Sequence, residues 1–323
     1  MQIRSGVEYV SLDSLSGMLS DILHKAPVVL ITGPSVNGIG AETAISLAHG
    51  APAILILFGR SLQKIEPVIS TIQSINSSIR VKFVETDLAS LASVRKAAQS
   101  ILDDPEIEHI DVIINNAAIM FCPYEKTVDG FELQFASGHL GHFVLTNYLM
   151  PKILAAGPGS RIVNVSSSGN KLGSINWEDP NFTVEGSYTP LKGYGQAKTA
   201  NILFSVALNK RLAGKGVHSY ALHPGSVATG LQRHLDKDIA DAASAIVLGD
   251  SSARTQRKTL QQGCSTTLRA ALDPDLPRQE GVFLADCELV TESFWLAPWS
   301  TDPQSAERLW KLSEDLVGEN LEY

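Results

Sequence analysis

Val28-Val29-Leu30-Ile31-Thr32-Gly33-Pro34-Ser35-Val36-Asn37-Gly38-Ile39-Gly40 is the stretch that decides the architecture. Val28 to Ile31 form a short apolar run of strand length, bounded by a glycine-rich turn. A helix-like run from Ala41 to His49 follows. A strand, a glycine-rich turn and a helix in that order make a site for a dinucleotide pyrophosphate. The glycines let the backbone come close, and the helix N-terminus offers free N–H groups and the positive end of its dipole.

Further strands are expected at Ala53–Phe58, Val81–Val84, Ile110–Ile114, Ser160–Ser167, Val217–Leu222 and Val282–Leu284, with helices between them. That alternation predicts an α/β fold, a doubly wound parallel sheet of the Rossmann type covered on both faces. Residues 128–155 read as one long helix through Phe131, Phe135, Leu140, Phe143 and Leu149, which Pro151 should kink or end early. No linker, repeat or low-complexity tract divides the chain, so residues 26–323 are expected to form one domain. Apolar spacing at Leu12, Leu15, Met18, Leu19, Ile22 and Leu23 predicts a helical extension over residues 1–25.

The ends of the strands carry the chemistry. After the second strand come Gly59-Arg60-Ser61, where an acidic residue would bind the ribose hydroxyls of NAD. Here Arg60 supplies a guanidinium suited to a 2′-phosphate, so NADP is favoured; an Arg stacked on adenine is the alternative. Asp87 suits the adenine amino group or a helix cap near Ser90. Asn115-Asn116-Ala117-Ala118 suit a strand end beside a cofactor ring, or a plain turn. Ser166, Ser167 and Ser168 end the fifth strand, and Tyr194-Gly195-Gln196-Ala197-Lys198 follow. Residues four apart share a helix face. An ammonium beside a phenol should lower its pKa from about 10, making Tyr194 a proton donor and acceptor near neutral pH. On its own such a pair is also an ordinary surface helix pair.

Composition excludes several classes. The chain has 323 residues, 44% hydrophobic and 19% charged, with a formal net charge of -8, so it is poorly suited to phosphate backbones or anionic membranes. Three scattered cysteines, Cys122, Cys264 and Cys287, suggest no disulfide framework and fit a reducing compartment. Apolar runs are strand-sized, and the N-terminus lacks the pattern of a signal peptide, so a cytoplasmic protein without a membrane span is expected. His139 and His142 lack a third partner, so no metal site is expected.

Taken together, Thr32-Gly33…Gly38-Ile39-Gly40, Asp87, Asn115-Asn116-Ala117-Ala118, Ser167, Tyr194…Lys198 and His223-Pro224-Gly225…Thr229 resemble the short-chain dehydrogenase/reductase family over about residues 26–230. Asp129-Gly130-Phe131 and His139-Leu140-Gly141-His142-Phe143 look like its retinol-dehydrogenase and WW-domain-oxidoreductase branch. The tail, with Gly263, Ala270-Ala271-Leu272-Asp273-Pro274 and Leu309-Trp310, looks like fungal relatives that tailor secondary metabolites.

The resemblance implies an NADP-dependent oxidoreductase acting on a CH–OH group of a small molecule. It implies that Ser167 holds the substrate oxygen, that Tyr194 donates the proton, and that Lys198 lowers the Tyr pKa and binds the nicotinamide ribose. Gly33, Ser35, Asn37, Gly38, Ile39 and Gly40 would then line the pyrophosphate. Asn116, Ala117, Pro224, Gly225, Val227 and Thr229 would lie along the rest of the cofactor. Two departures stand out. Four residues, Pro34 to Asn37, separate Gly33 from Gly38 where the family usually has three, so a wider loop is expected. Gly138 stands where the family usually places an asparagine whose backbone carbonyl holds a water bonded to the lysine; the glycine keeps that carbonyl.

The substrate pocket is expected from Met120, Cys122 and residues 168–193 and 230–258. Ile239, Ala242, Ala243, Ile246, Val247 and Leu248 suggest an apolar lid helix, or an ordinary surface helix. A lipophilic ketone or secondary alcohol is the expected substrate. A cofactor-binding sensor without catalysis, and an isomerase or dehydratase using the same tyrosine, are the alternatives. A monomer or a homodimer fits equally.

Overall fold

Strands β1 (Val28–Thr32), β4 (Val112–Asn115) and β5 (Arg161–Val165) are buried at every residue, as expected of strands covered on both faces. The computed structural model describes residues 27–290 and 294–321, so the extension expected over residues 1–25 lies outside the described residues. β1 pairs in parallel with β2 (Ile54–Gly59) on one side, Val28 opposite Ile54, and with β4 on the other, Val29 opposite Val112. β3 (Arg80–Glu85) lies outside β2, while β6 (His218–His223) and β9 (Phe283–Ala285) lie beyond β5. Among the described strands of this sheet, β10 (Glu288–Leu289) alone runs antiparallel, against β9. The order is β10-β9-β6-β5-β4-β1-β2-β3. The chain therefore reverses direction across the sheet between β1 and β4. A doubly wound sheet opens a crevice at such a point, outside the C-terminal ends of its strands.

Each face is covered by helices. On one lie α1 (Ile39–Ala48), α2 (Leu62–Ile75) and α9 (Leu260–Leu272), through Ala41, Ile65 and Leu268 among others. On the other lie α3 (Leu91–Leu102), α5 (Gly141–Tyr148), α6 (Met150–Ala156), α7 (Pro190–Arg211) and α10 (Pro303–Val317). Helix α9 went unread in the sequence, although Thr259 and Gln262 form a capping box at its start. A two-residue parallel pair, β7 (Ser226–Val227) with β8 (Arg257–Lys258), was likewise unread.

The single long helix expected over residues 128–155 is a correction. Gly130 turns the chain at φ 86°, and Glu132 accepts from the backbone N–H groups of Gln134 and Phe135, so α4 (Leu133–Phe135) starts only there. A π-helical turn, Ala136–Leu140, leads into α5. Pro151 falls in the first turn of α6, where its missing N–H is not needed. Gly141 allows the close fit: a Cβ there would stand 2.5 Å from the Leu88 carbonyl oxygen.

Helix α7 is no surface helix. Thr189 caps it, Pro190 opens it, and it is buried on nearly every side from Gly193 to Leu208. Its path is set by contact with the 3-10 turn Ser168–Leu172 and the residue that follows. A Cβ on Gly195 would lie 2.4 Å from the Gly173 nitrogen and 2.7 Å from the Leu172 carbonyl carbon. Among the described residues no helix is long and apolar enough to cross a membrane. Because both obstructing atoms are backbone, Gly195→Ala should destabilise the fold by about 1–3 kcal/mol. Thermal melting checks this; an unchanged Tm would mean that α7 can move away freely.

Candidate active site

The glycine-rich loop accommodates its additional residue by closing on itself. Gly38 N donates to the Ser35 carbonyl at 3.1 Å, and Val36 N hangs the loop on the Lys64 carbonyl at 3.0 Å. Asn37 takes the left-handed conformation at φ 61°, which asparagine tolerates better than most residues. Gly38 is the extended N-cap of α1 and no side chain caps the helix, so its first N–H groups are open to an anion. Gly33, Ser35, Asn37, Gly38 and Ile39 line a cavity of about 1010 Å³. Gly40 does not. It lets α1 press on the end of β4, where a Cβ would meet Asn116 Nδ2 at 2.4 Å.

Asn116 and Ala117 line the cavity, yet the Asn116 amide is used within the protein. Its Nδ2 donates to the Thr32 carbonyl at 2.8 Å. Thr32 Oγ1 accepts from the backbone N–H groups of Asn116 and Ala117 at 2.9 and 3.0 Å. The tips of β1 and β4 are thereby tied together under the loop. Asp87 also lines the cavity, its Oδ1 accepting from Ala89 N at 3.0 Å. Ser90, not Asp87, caps α3. Arg60 and Lys64 border the same end, and neither has a side-chain partner among the described residues. Lys64 escaped the sequence reading; the signal was its place four residues after Arg60, in the first turn of α2.

At the other end Ser167, Tyr194 and Lys198 line the wall together, with Ser137 and with Pro224, Gly225, Val227 and Thr229. Ser167 caps the 3-10 turn, its Oγ accepting from Gly169 N at 3.0 Å. A Cβ on Gly169 would lie 2.6 Å from the Tyr194 ring and 3.3 Å from Ser167 Oγ, so the missing side chain brings phenol and serine together. Ser166 does structural work, donating to the Lys198 carbonyl at 2.7 Å. Lys198 Nζ donates to the Val165 carbonyl at 2.8 Å and lies 5.6 Å from the centre of the Tyr194 ring.

Electrostatics correct the expectation of an acidic phenol. Tyr194 is 5% exposed, with Phe121 edge-on at 4.9 Å, and burial pushes its pKa up to about 12, against a hydrogen bond with Ser167. Burial also pushes Lys198 down to about 7. Desolvation disfavours the charged form of each. At neutral pH the phenol is a proton donor, and the lysine carries its charge fully only below about 7.

The roof is apolar. Met120, Phe121, Leu172 and Tyr194 pack with Leu191, Leu231, Leu235, Ile239, Ala243 and Val247. The last three belong to α8 (Lys237–Leu248), none of whose residues is fully buried, so the helix lies over the cavity as a cover. Lys171 Nζ holds its end by donating to the Val247 carbonyl at 2.8 Å. Cys122, expected in this pocket, stands behind it instead, its carbonyl accepting from the Tyr188 hydroxyl at 2.8 Å. Phe121, Ser226, Thr255 and Arg257 line the cavity and were not singled out in the sequence. Among the described residues no three His, Cys, Asp or Glu side chains converge on a metal position. His139 and His142 are buried and neutral, held by Ser313 Oγ and Thr32 Oγ1.

A family model described as short chain dehydrogenase matches residues 27–240. The chain is 38% identical over 300 residues to "Short-chain dehydrogenase/reductase prx1" of Penicillium roqueforti, covering 90% of this chain and 84% of that protein. It is 38% identical over 301 residues to human retinol dehydrogenase 11, covering 93% and 88%. Among solved structures, a putative uncharacterized protein from Mycobacterium paratuberculosis superposes with a TM-score of 0.70 at 32% identity, covering 94% of this chain and 98% of that one. NADPH-bound carbonyl reductase from chicken fatty liver shares the fold at 18% identity, with a TM-score of 0.59 and coverage of 82% and 99%.

The effect of burial on the lysine can be measured directly. In ligand-free protein labelled at the lysine ε-carbon, the resonance abolished by Lys198→Arg should titrate with a midpoint near 7. A midpoint near the ordinary lysine value of about 10.4 would show that the amine is hydrated.

Proposed function

Because the chain belongs to the short-chain dehydrogenase family, we propose that it is an NADP(H)-dependent oxidoreductase. It interconverts a ketone or aldehyde and an alcohol on a lipophilic small molecule. The observation that carries this reading is the meeting of Ser167, Tyr194 and Lys198 on one wall of a cavity with an apolar roof and an open helix N-terminus at its far side.

The residues fit a dinucleotide. Gly33, Ser35, Asn37, Gly38 and Ile39 would hold the pyrophosphate, where a side chain on Gly38 would crowd the Ser35 carbonyl at 2.9 Å. Asp87, Asn116, Ala117, Pro224, Gly225, Val227 and Thr229 would flank the adenine and nicotinamide ends. Arg60 and Lys64, two cations without side-chain partners among the described residues, would take a 2′-phosphate. The bound cofactor supplies or accepts a hydride. The chain's own part is to handle the proton. Ser167 Oγ hydrogen-bonds the substrate oxygen, and the Tyr194 hydroxyl gives its proton to that oxygen as the alcohol forms. Lys198, as the ammonium, stabilises the phenolate left behind. A phenol protonated at neutral pH suits the reductive direction.

The roof supports a lipophilic substrate, and a relative named for retinol supports an apolar alcohol as the product class. A ketone of the kind processed in secondary metabolism fits the same description. In a panel of apolar ketones with NADPH, Tyr194→Phe should lower turnover by about 10²–10⁴-fold with cofactor binding kept. Near-normal turnover in that variant would refute the catalytic assignment. Arg60→Ala and Lys64→Ala should each weaken NADPH binding by about tenfold, through loss of a charge-assisted bond, and leave NADH binding nearly unchanged. Equal losses for the two cofactors would remove the 2′-phosphate role.

A further inference from the structure

Asn201 lies on α7 three residues beyond Lys198, 2% exposed and outside the lining of the cavity. Its Nδ2 donates to the Gly138 carbonyl at 2.7 Å, and its Oδ1 accepts from Lys198 Nζ at 3.4 Å. We propose that Asn201 is the positioning residue for Lys198, its carboxamide clamped between the Gly138 carbonyl and the lysine nitrogen so that the amine faces the cavity. The inference rests on the assignment of Lys198 to the reaction.

The orientation of the carboxamide is forced. A peptide carbonyl only accepts, so the NH₂ end must face Gly138 and the oxygen must face Lys198. An ammonium has three N–H bonds. The Val165 carbonyl and Asn201 Oδ1 take two of them, and the third is left for the cavity side. The Gly138 carbonyl is itself held. His142 Nδ1 lies 3.2 Å from it, and His142 Nε2 lies 2.9 Å from Thr32 Oγ1. That hydroxyl already accepts two backbone N–H groups. Its proton therefore goes to Nε2, in preference to the Ile114 carbonyl 3.5 Å away. The ring proton is then on Nδ1, directed at Gly138. A chain of hydrogen bonds thus runs from the base of the glycine-rich loop to the lysine.

The same packing accounts for glycine at position 138. A Cβ there would come 3.2 Å from the Ala197 Cβ, tighter than ordinary contact. In the family pattern a carboxamide stands at that position. Here the close approach of α7 leaves little room for one, and the carboxamide comes from the facing helix. The titratable side chains facing Lys198 are Tyr194 on its own helix and His142 on α5, and burial keeps both neutral near pH 7. The lysine's charge therefore answers mainly to burial and to its two oxygen acceptors.

Lysine ε-carbon titration of the ligand-free protein tests this without any turnover. Asn201→Leu removes the acceptor and should lower the Lys198 midpoint by about one unit, whereas Asn201→Asp keeps an acceptor, adds negative charge and should raise it by at least as much. With NADPH and an apolar ketone, the pH limb of turnover should move in the same direction as each midpoint. For Asn201→Leu, kcat should fall about tenfold or more while the KM for NADPH stays within about threefold. Unmoved midpoints in folded variants overturn the proposal, because a packing role alone changes stability and not the titration. If Asn201→Leu does not fold, Asn201→Asp decides alone: a raised midpoint supports the contact and an unchanged one refutes it. Should Tyr194→Phe keep its turnover, the reading of the reaction falls, while the titration still reports the Asn201–Lys198 contact separately.

Discussion

Helix α7 meets its neighbours through glycines, and most of the site follows from that closeness. Gly195 presses against the backbone at Leu172 and Gly173, Gly169 lies under the Tyr194 ring, and Gly138 faces Ala197. Each missing Cβ brings the helix a few tenths of an ångström to an ångström nearer than a side chain would permit. Those distances seat Tyr194 beside Ser167 and let Lys198 Nζ reach the carbonyl at the end of β5. Were the helix to stand off, the phenol and amine would be hydrated and the wall of the cavity would open.

Burial then governs the chemistry. A Tyr and a Lys one turn apart suggest an ion pair that makes the phenol acidic. In the folded protein both side chains are almost out of water, and desolvation moves each toward its neutral form. The attraction between a phenolate and an ammonium remains available, but only after both charges have formed. That condition fits a site whose work is to stabilise charge during a reaction, because the charged pair is not the resting state.

Much of this was legible in the chain. The apolar run before Thr32, the glycines after it and the Tyr194–Lys198 spacing each express a local requirement, so they identify the fold and the wall of the cavity proposed to carry the reaction. The break at Leu149, near Pro151, was legible; the late start at Leu133 and the π-helical turn Ala136–Leu140 were not, because no residue type there announces them. Asn37 shows the middle ground. An added residue in the loop is visible in the sequence, but its left-handed conformation, which keeps the turn tight, is visible only in the structure. Lys64 and Asn201 carry no motif. They matter through the residue three or four positions earlier on the same helix, a relation that has meaning only once Arg60 and Lys198 are known to face the cavity.

Helix α8 is held on different terms from everything beneath it. It contributes no fully buried residue, it rests on the cavity through a few aliphatic side chains, and Lys171 and Arg254 fasten it through the Val247 carbonyl and through Asp241 and Ser244. The groups proposed to handle the proton stand on α7 and at the end of β5, where α7 is seated by close backbone contacts at Gly195. Replacements on the cavity side of α8 change what the cover presents to the cavity while leaving the close backbone contacts of α7 in place. A lineage could change the shape of the space under α8 through a handful of replacements, and keep the fold around α7 as it is.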